Sequence, residues 1–178
     1  MDFLLQLTSR GKCMMNSHYG NVRIKELEPM RFACYRAASA TPENDSIEHM
    51  TKWLAEQKFG GTHKVRMFGF DEEVTPEQKM QGLRGYEVWA SVPKEVKSSV
   101  GVSFKDFTGG TYAVMRINDP FTNPFEVIPD GWKRLADWVK TSDEYGFGEH
   151  QCLEEIIKIE GKDCLDIHLP VVKKRMRK

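Results

Sequence analysis

Two adjacent glutamates inside an otherwise apolar strand pattern are the residues of this chain best placed to do chemistry. Residues 153–159 read LEEIIKI, and alternation places Glu154 on one strand face with Ile156. Glu155 falls on the other, more apolar face, which we expect to pack under helices. A half-buried carboxylate is costly unless it is paired, so Glu154 is expected to face a cationic ligand or to act as a general base with a raised pKa. Two alternatives stay open: a solvated edge glutamate, and a one-residue slip that puts Glu155 in this role.

Aromatic residues at strand positions predict the walls of a ligand cleft. Trp89 alternates with polar residues, and its ring could stack on a planar ligand or make a cation–π contact. Tyr112 follows a glycine pair, and its hydroxyl could orient a ligand or a water molecule. Core packing is the alternative for each, and it is our expectation for the helix residues Trp53, Trp132 and Trp138. The remaining residues expected to contact the ligand are Phe68, Phe70 and Ile156.

No sequence pattern for a metal or a cofactor accompanies these residues. The 5 histidines are scattered, and the 4 cysteines lack the Cys-x-x-Cys spacing of zinc sites. The chain has no nucleophile elbow, no phosphate-binding loop and no dinucleotide-binding glycine pattern. We therefore expect no metal, no cofactor, and reduced cysteines in a cytoplasmic protein.

The elements that must position these residues occur in the same order twice. Two sets of strand, helix, strand and strand are predicted, over 22–36, 46–59, 64–70 and 86–92 and then over 110–117, 130–141, 153–159 and 164–169. This order predicts an α+β fold with pseudo-two-fold symmetry. We expect an antiparallel sheet with helices on one face and a ligand cleft between the halves.

Length and composition fit a single globular domain. The chain has 178 residues, of which 40% are hydrophobic and 29% charged, and its formal net charge is zero. A neutral chain argues against a duplex-DNA partner or a polybasic membrane contact, and no run is long enough to span a membrane. We expect a loose extension over residues 1–20, one domain over 21–172 with half-repeats at about 21–92 and 102–172, and a basic tail over 173–178.

Several stretches together resemble the GyrI-like family, the effector-binding domain of bacterial transcription activators. They are FGFD at 68–71, YEVWASVP at 86–93, GGTYAVMRI at 109–117 with the helix GWKRLADWVKTS at 131–142, and the closing segments CLEEIIKI at 152–159 and CLDIHLPV at 164–171. The resemblance covers about residues 20–172. It implies a tandem of two strand–helix–strand–strand units with a ligand-binding cleft between them, which agrees with the repeat.

The resemblance also implies a site. In drug-sensing members an aromatic cleft holds a buried glutamate that faces cationic, aromatic ligands. The family's apolar–Glu–x–aromatic pattern falls on residues 153–156, so Glu154 matches the glutamate and Ile156 replaces the usual aromatic. No DNA-binding module precedes the domain in this sequence, so we expect a stand-alone member.

The residues together with this resemblance leave three functions open, of which the second and third are what stand-alone relatives in the family imply. The first is binding of amphipathic aromatic small molecules, cationic ones included, for sensing or sequestration. The second is hydrolysis of strained cyclopropane-bearing natural products with Glu154 as the general base, and the third is inhibition of a topoisomerase through protein binding. We expect a small-molecule ligand, no direct nucleic-acid partner and no membrane partner, while a protein partner stays open.

Overall fold

The computed structural model describes residues 18–57, 59, 64–96 and 99–175, and these residues form nine strands and three helices. In chain order the elements are β1 (Arg23–Leu27), β2 (Met30–Ser39), α1 (Pro42–Glu56), β3 (Met67–Glu72), α2 (Pro76–Met80), β4 (Arg84–Val92), β5 (Ser103–Phe107), β6 (Gly110–Asn118), α3 (Pro124–Thr141), β7 (Tyr145–Phe147), β8 (Leu153–Ile159) and β9 (Lys162–Lys173).

The strand order confirms the predicted repeat. Eight strands form an antiparallel sheet in the order β1-β6-β9-β8-β3-β4-β2-β5, and β7 pairs with the end of β9. On one side of the β8–β3 junction lie β8, β9 and β6, and on the other side β3, β4 and β2 follow in the equivalent order. The outermost strands exchange halves, because β1 precedes β2 but pairs with β6, and β5 precedes β6 but pairs with β2.

The long first strand of the sequence prediction is divided into β1 and β2. Pro29 lies between them, and because it has no N–H it cannot continue a ladder of hydrogen bonds. The chain therefore leaves one edge of the sheet at Leu27, which pairs with Gly110, and enters the other side at Met30, which pairs with Phe107.

The turn between β5 and β6 contacts the turn between β1 and β2. Gly109 has a φ of 85°, and a Cβ there would lie 2.6 Å from the carbonyl oxygen of Leu27. A glycine is needed on both counts, because other residues rarely adopt this φ and would overlap the neighbouring backbone. The contact brings the two ends of the sheet together, so that the sheet curls into a half-barrel.

Both long helices lie on one face of the sheet, as predicted. α1 packs against β2 and β4, and α3 packs against β6, β7 and β9. Met67 belongs to the α1 core and Ile156 to the α3 core. These two residues share a sheet face because Gly69 and Glu154, two positions from each, are paired across the β3–β8 junction.

The opposite face of the sheet is covered by the curl of the sheet itself. Side chains from β1 to β6 and from β8 fill the concave side, where they form what we call the inner core. Its buried members are Leu27, Phe32, Cys34, Phe68, Phe70, Trp89, Phe107, Tyr112, Val114 and Leu153.

Both long helices begin earlier than the sequence predicted. α1 starts at Pro42 and ends at Glu56, and α3 starts at Pro124, six positions before the predicted start at residue 130. In both helices a proline occupies the first turn, where its missing N–H costs nothing. Asp130 consequently lies inside α3, where its carboxylate accepts a hydrogen bond from Arg134 at 2.8 Å.

Two segments outside the predicted strands and helices contain short elements. α2 lies within residues 71–85 and begins with a reciprocal capping box between Thr75 and Gln78. β7 lies within the stretch that follows α3 and pairs with Val171 and the two residues after it. Neither has an apolar periodicity long enough to be recognised in the sequence.

The expected extension and tail are only partly described. Residues 1–17 and 176–178 lie outside the described residues, whereas Tyr19 forms a bridge with Ile117 of β6, and Lys173 is the last residue of β9. Among the residues that the structure describes, no helix has the length and apolar character needed to cross a membrane.

Candidate functional site

Glu154 lies where the two halves meet, on the sheet face that carries the helices. It is paired with Gly69 across the β3–β8 junction and is partly buried. Its Oε1 accepts a hydrogen bond from Trp132 Nε1 of α3 at 2.9 Å, and its Oε2 accepts one from the Tyr86 hydroxyl of β4 at 3.2 Å. One carboxylate thus connects the two halves through one donor from each.

Tyr86 reaches Glu154 by crossing over Gly69. A Cβ built at Gly69 would lie 2.5 Å from Cζ of Tyr86 and would also overlap its hydroxyl. The phenol ring therefore occupies the space that a side chain at Gly69 would need. A glycine inside a strand commonly marks such a close approach.

The environment of Glu154 favours its neutral form. Burial raises the pKa of Glu154, the hydrogen bonds from Trp132 and Tyr86 oppose this, and the negative charges of Asp71 and Glu43 raise the pKa further. Among the residues that the structure describes, no cationic side chain forms an ion pair with Glu154. The site can therefore gain from a proton or from a positively charged group.

Side chains fill almost all of the space beside Glu154. The gap has a volume of about 10 Å³ and is lined by Ile47, Met67, Phe68, Ile156 and by residues already named around Glu154. This is at the lower limit for a single water molecule. In place of an open cleft, the halves meet at a narrow gap between α1 and α3, which we call the seam. Here the protein's own side chains supply the hydrogen bonds to the carboxylate.

The prediction of which face of β8 packs under the helices is wrong. The face with Glu154 and Ile156 packs toward the helices, whereas Leu153 belongs to the inner core. The reason is the curl of the sheet, which provides a second apolar interior that strand alternation cannot distinguish from a helix-covered face. Glu155, on the inner side, is 7% exposed and accepts hydrogen bonds from Arg66 at 2.7 and 2.8 Å.

Four of the predicted ligand contacts have their side chains on the opposite sheet face from Glu154. These inner-core residues are Trp89, Phe68, Phe70 and Tyr112. Trp89 is 2% exposed, its Nε1 donates to Glu87 at 2.7 Å, and the ammonium of Lys105 lies 4.4 Å from its ring centroid. A cation from the protein itself thus occupies the position we had expected a ligand to take.

Ile156 is the remaining predicted contact, and it shares the strand face of Glu154 and lines the gap. Phe68 also contributes to the lining, although its ring packs in the inner core. Since Gly69 is the residue paired with Glu154, alternation directs the side chains of both Phe68 and Phe70 away from the carboxylate.

The partners of Glu154 are not among the residues predicted to form the site. Trp132 was expected in the core, and neither Tyr86 nor Gly69 had a predicted role. The one available signal was Gly69 itself, because a glycine between two phenylalanines inside a strand suggests that something passes close by. Among the described residues no group of three or more metal-ligand side chains comes together, here or elsewhere.

Comparison with known proteins identifies the family. The sequence model of the GyrI-like small molecule binding domain matches residues 20–169. The chain belongs to the GyrI-like family. This GyrI-like domain is therefore a member of a family of small-molecule-binding, effector-binding domains.

Three solved structures illustrate how widely this fold occurs among proteins of low sequence identity to this chain. The EcmrR C-terminal domain has a TM-score of 0.65 at 15% identity, over 86% of this chain and 98% of that chain. SAV2435 bound to tetraphenylphosphonium has a TM-score of 0.52 at 9% identity, over 86% and 94%. A hydrolase from Listeria innocua has a TM-score of 0.53 at 10% identity, over 85% and 91%. At these identities the likeness shows the fold alone, and no curated protein matches the chain.

Proposed function

We propose that this GyrI-like domain binds an aromatic small molecule with a positive charge between α1 and α3, with Glu154 as the charged anchor. The observation that carries the proposal is the setting of Glu154. It is a partly buried carboxylate held by two neutral donors, and burial raises its pKa, which the negative charges of Asp71 and Glu43 raise further. A bound cation would relieve this unfavourable charge.

A ligand can enter only if side chains move. The gap of about 10 Å³ is far smaller than any aromatic molecule. Because Tyr86 and Trp132 are the groups that hold the carboxylate, displacement of one or both of them opens the seam between the helices. The wall then exposed includes the apolar side chains of Ile47, Met67 and Ile156, which suit a flat hydrophobic ligand.

The ligand class has support from a protein of the same fold. SAV2435 was solved with tetraphenylphosphonium, an aromatic organic cation. That observation belongs to SAV2435, and it makes tetraphenylphosphonium a suitable first probe for this chain.

The test is calorimetry and thermal unfolding of the full chain with tetraphenylphosphonium. Glu154→Gln keeps a hydrogen-bonding group of the same size, so we expect it to weaken binding about tenfold or more through loss of the charge. The matched control is Glu95→Gln, which removes an exposed carboxylate elsewhere and should leave the affinity unchanged. Equal affinity of wild type and Glu154→Gln would contradict the proposed anchor.

A second candidate is hydrolysis of a strained cyclopropane-bearing compound. It is favoured by the hydrogen bond between Tyr86 and a carboxylate of raised pKa, because such a group can accept a proton from water. The water oxygen bonds to one ring carbon, the ring C–C bond breaks with its electron pair on the neighbouring carbon, and the proton returns to that carbon. The product would gain one molecule of water, which mass spectrometry detects directly. Turnover that Glu154→Ala abolishes would favour this activity, and saturable binding without product would exclude it for the compound used.

A further inference from the structure

A second, larger cavity lies on the other face of the sheet. It has a volume of about 550 Å³, within the range of small-molecule sites, and it lies beyond the inner core at the ends of β6, β8 and β9. Its least exposed lining residues are Arg116, Asn118 and Cys164. Because Asn118 pairs with Cys164 and Arg116 pairs with Asp166, these side chains share the inner face, opposite the face of Glu154.

Arg116 is held in place by a buried carboxylate. Its Nε donates to Oδ1 of Asp166 at 2.7 Å and its Nη2 donates to Oδ2 at 2.9 Å. Asp166 is 1% exposed. Burial alone would raise the pKa of Asp166, but the hydrogen bond from Arg116 and the positive charges of Arg23 and Lys25 keep this pKa below its ordinary value. The guanidinium is thus fixed by a carboxylate that stays ionised.

The surroundings of Asp166 carry an excess of positive charge. The carboxylate of Asp166 lies 2.5 Å from the guanidinium of Arg23 and 3.7 Å from the ammonium of Lys25. Together with Arg116, three cations therefore surround this one carboxylate. Among the described residues, Nη1 of Arg116 has no hydrogen-bond partner. This nitrogen provides two N–H groups for an oxygen atom of a ligand.

The charges of the exposed lining residues indicate what the rest of the ligand should carry. Lys162 and His18 add donors at the rim, while Asp119 and Glu160 add carboxylates there. A negative group is therefore favoured near Arg116 and disfavoured near the rim acids. A ligand with one oxyanion and an otherwise polar or cationic remainder suits this distribution.

We propose that this inner-face cavity is a second ligand site, in which Arg116 binds the carboxylate or phosphate group of a small polar molecule. The site is independent of the one at Glu154, because the sheet separates them. Asp166 acts as a positioning residue, since it contacts Arg116 and not the ligand. Lys162 assists from the rim.

The test is a nuclear magnetic resonance titration of the full chain, with inorganic phosphate and β-alanine, which has one carboxylate and one ammonium group, in separate series. We expect saturable shifts of backbone amides confined to residues 116–119 and 159–164. Saturation with β-alanine alone would identify a carboxylate ligand, and saturation with phosphate alone a phosphate ligand. Shifts that are scattered, or that grow linearly without saturation for both probes, would overturn the proposal.

Variants separate a site from a general charge effect. Arg116→Gln should lower the affinity for the probe that saturates by about tenfold. Arg134→Gln removes an exposed arginine of α3 and should leave this affinity unchanged. If Arg116→Gln does not fold, Lys162→Gln provides the test, because Lys162 is an exposed residue at the rim. This variant should lower the affinity for the probe by about twofold to threefold without a change in Tm. Unchanged affinity in the folded variants would refute the assignment, and Glu154→Gln should have no effect on either probe.

Discussion

The hydroxyl of Tyr86 reaches Glu154, at 3.2 Å, only because Gly69 between them has no side chain. The three residues lie on three neighbouring strands, β4, β3 and β8, on either side of the junction between the halves. Trp132 of α3 donates a hydrogen bond to the same carboxylate at 2.9 Å. The interior of the site is thus a set of mutually satisfied polar groups that a ligand must replace.

This relationship predicts strong coupling between Gly69 and Tyr86. Gly69→Ala should lower the free energy of unfolding by roughly 2 kcal/mol, because the new methyl group overlaps the phenol ring. In a Tyr86→Leu background the same change should cost roughly 1 kcal/mol less, since a leucine does not extend over Gly69. Urea unfolding of the four proteins measures the coupling.

A matched glycine controls for the effect of alanine in the strand. A Cβ at Gly146 in β7 would meet only the side chain of Lys174, at 3.8 Å, so Gly146→Ala should change stability little. An equal cost for Gly69→Ala in both backgrounds would mean that Tyr86 does not occupy the space over the glycine.

The raised pKa of Glu154 predicts a pH dependence of cation binding. Below this pKa the carboxyl is protonated and must lose its proton to pair with a cation, so affinity should rise as pH increases. The rise should approach tenfold per pH unit and level off above the pKa, which burial places above the ordinary value for glutamate. Calorimetry with tetraphenylphosphonium across this range should give a sloping profile for wild type. Glu154→Gln should give a flat one, and a parallel slope in that variant would assign the titration to another group.

The buried His168 predicts loss of stability in acid. It is fully buried, its Nδ1 contacts the Asp166 carbonyl at 2.9 Å, and its Nε2 lies 3.6 Å from Glu155, which Arg66 already pairs. Burial lowers the pKa of His168 to about 4, although the negative charge of Glu155 opposes this. The unfolded chain binds a proton near pH 6.5, so stability is complete above that pH and is lost as pH falls toward 4.

The size of this effect follows from the width of the pH window. The slope should be about 1.4 kcal/mol per pH unit, for a total of about 3 kcal/mol, in denaturant unfolding at a series of pH values. His168→Phe fits an aromatic environment and should remove this component of the slope. The exposed His150 provides the control, since His150→Gln should retain it. A wild-type slope in His168→Phe would show that other groups cause the acid sensitivity.

Two tryptophans should have opposite roles. Trp89 is 2% exposed in the inner core, so Trp89→Phe should lower Tm and leave the affinity for tetraphenylphosphonium unchanged. Trp132 donates to Glu154, so Trp132→Phe should change that affinity at least about threefold while costing less stability. Thermal unfolding and calorimetry on the two variants make the comparison. A change of affinity in Trp89→Phe that matches Trp132→Phe would restore Trp89 as a ligand contact.

The amino-acid sequence determined the α+β class, the repeated order of elements and the position of Glu154 in a strand. These are local properties. Alternation of apolar residues shows strands, 3.6-residue periodicity shows helices, and a carboxylate in an apolar run is visible without any partner. Pro29 is a local signal of the same kind, because a missing N–H interrupts a ladder wherever the strand lies.

Tertiary structure alone decided which side of each strand became the site. The sheet has two buried faces, one under the helices and one inside its own curl, and both look apolar along a single strand. The pairing of Gly69 with Glu154 connects residues that are far apart in the chain, and it brings Tyr86 and Trp132 to the carboxylate while placing Trp89 on the other side. Strand register and sheet curvature are set by long-range pairing, which no local periodicity encodes.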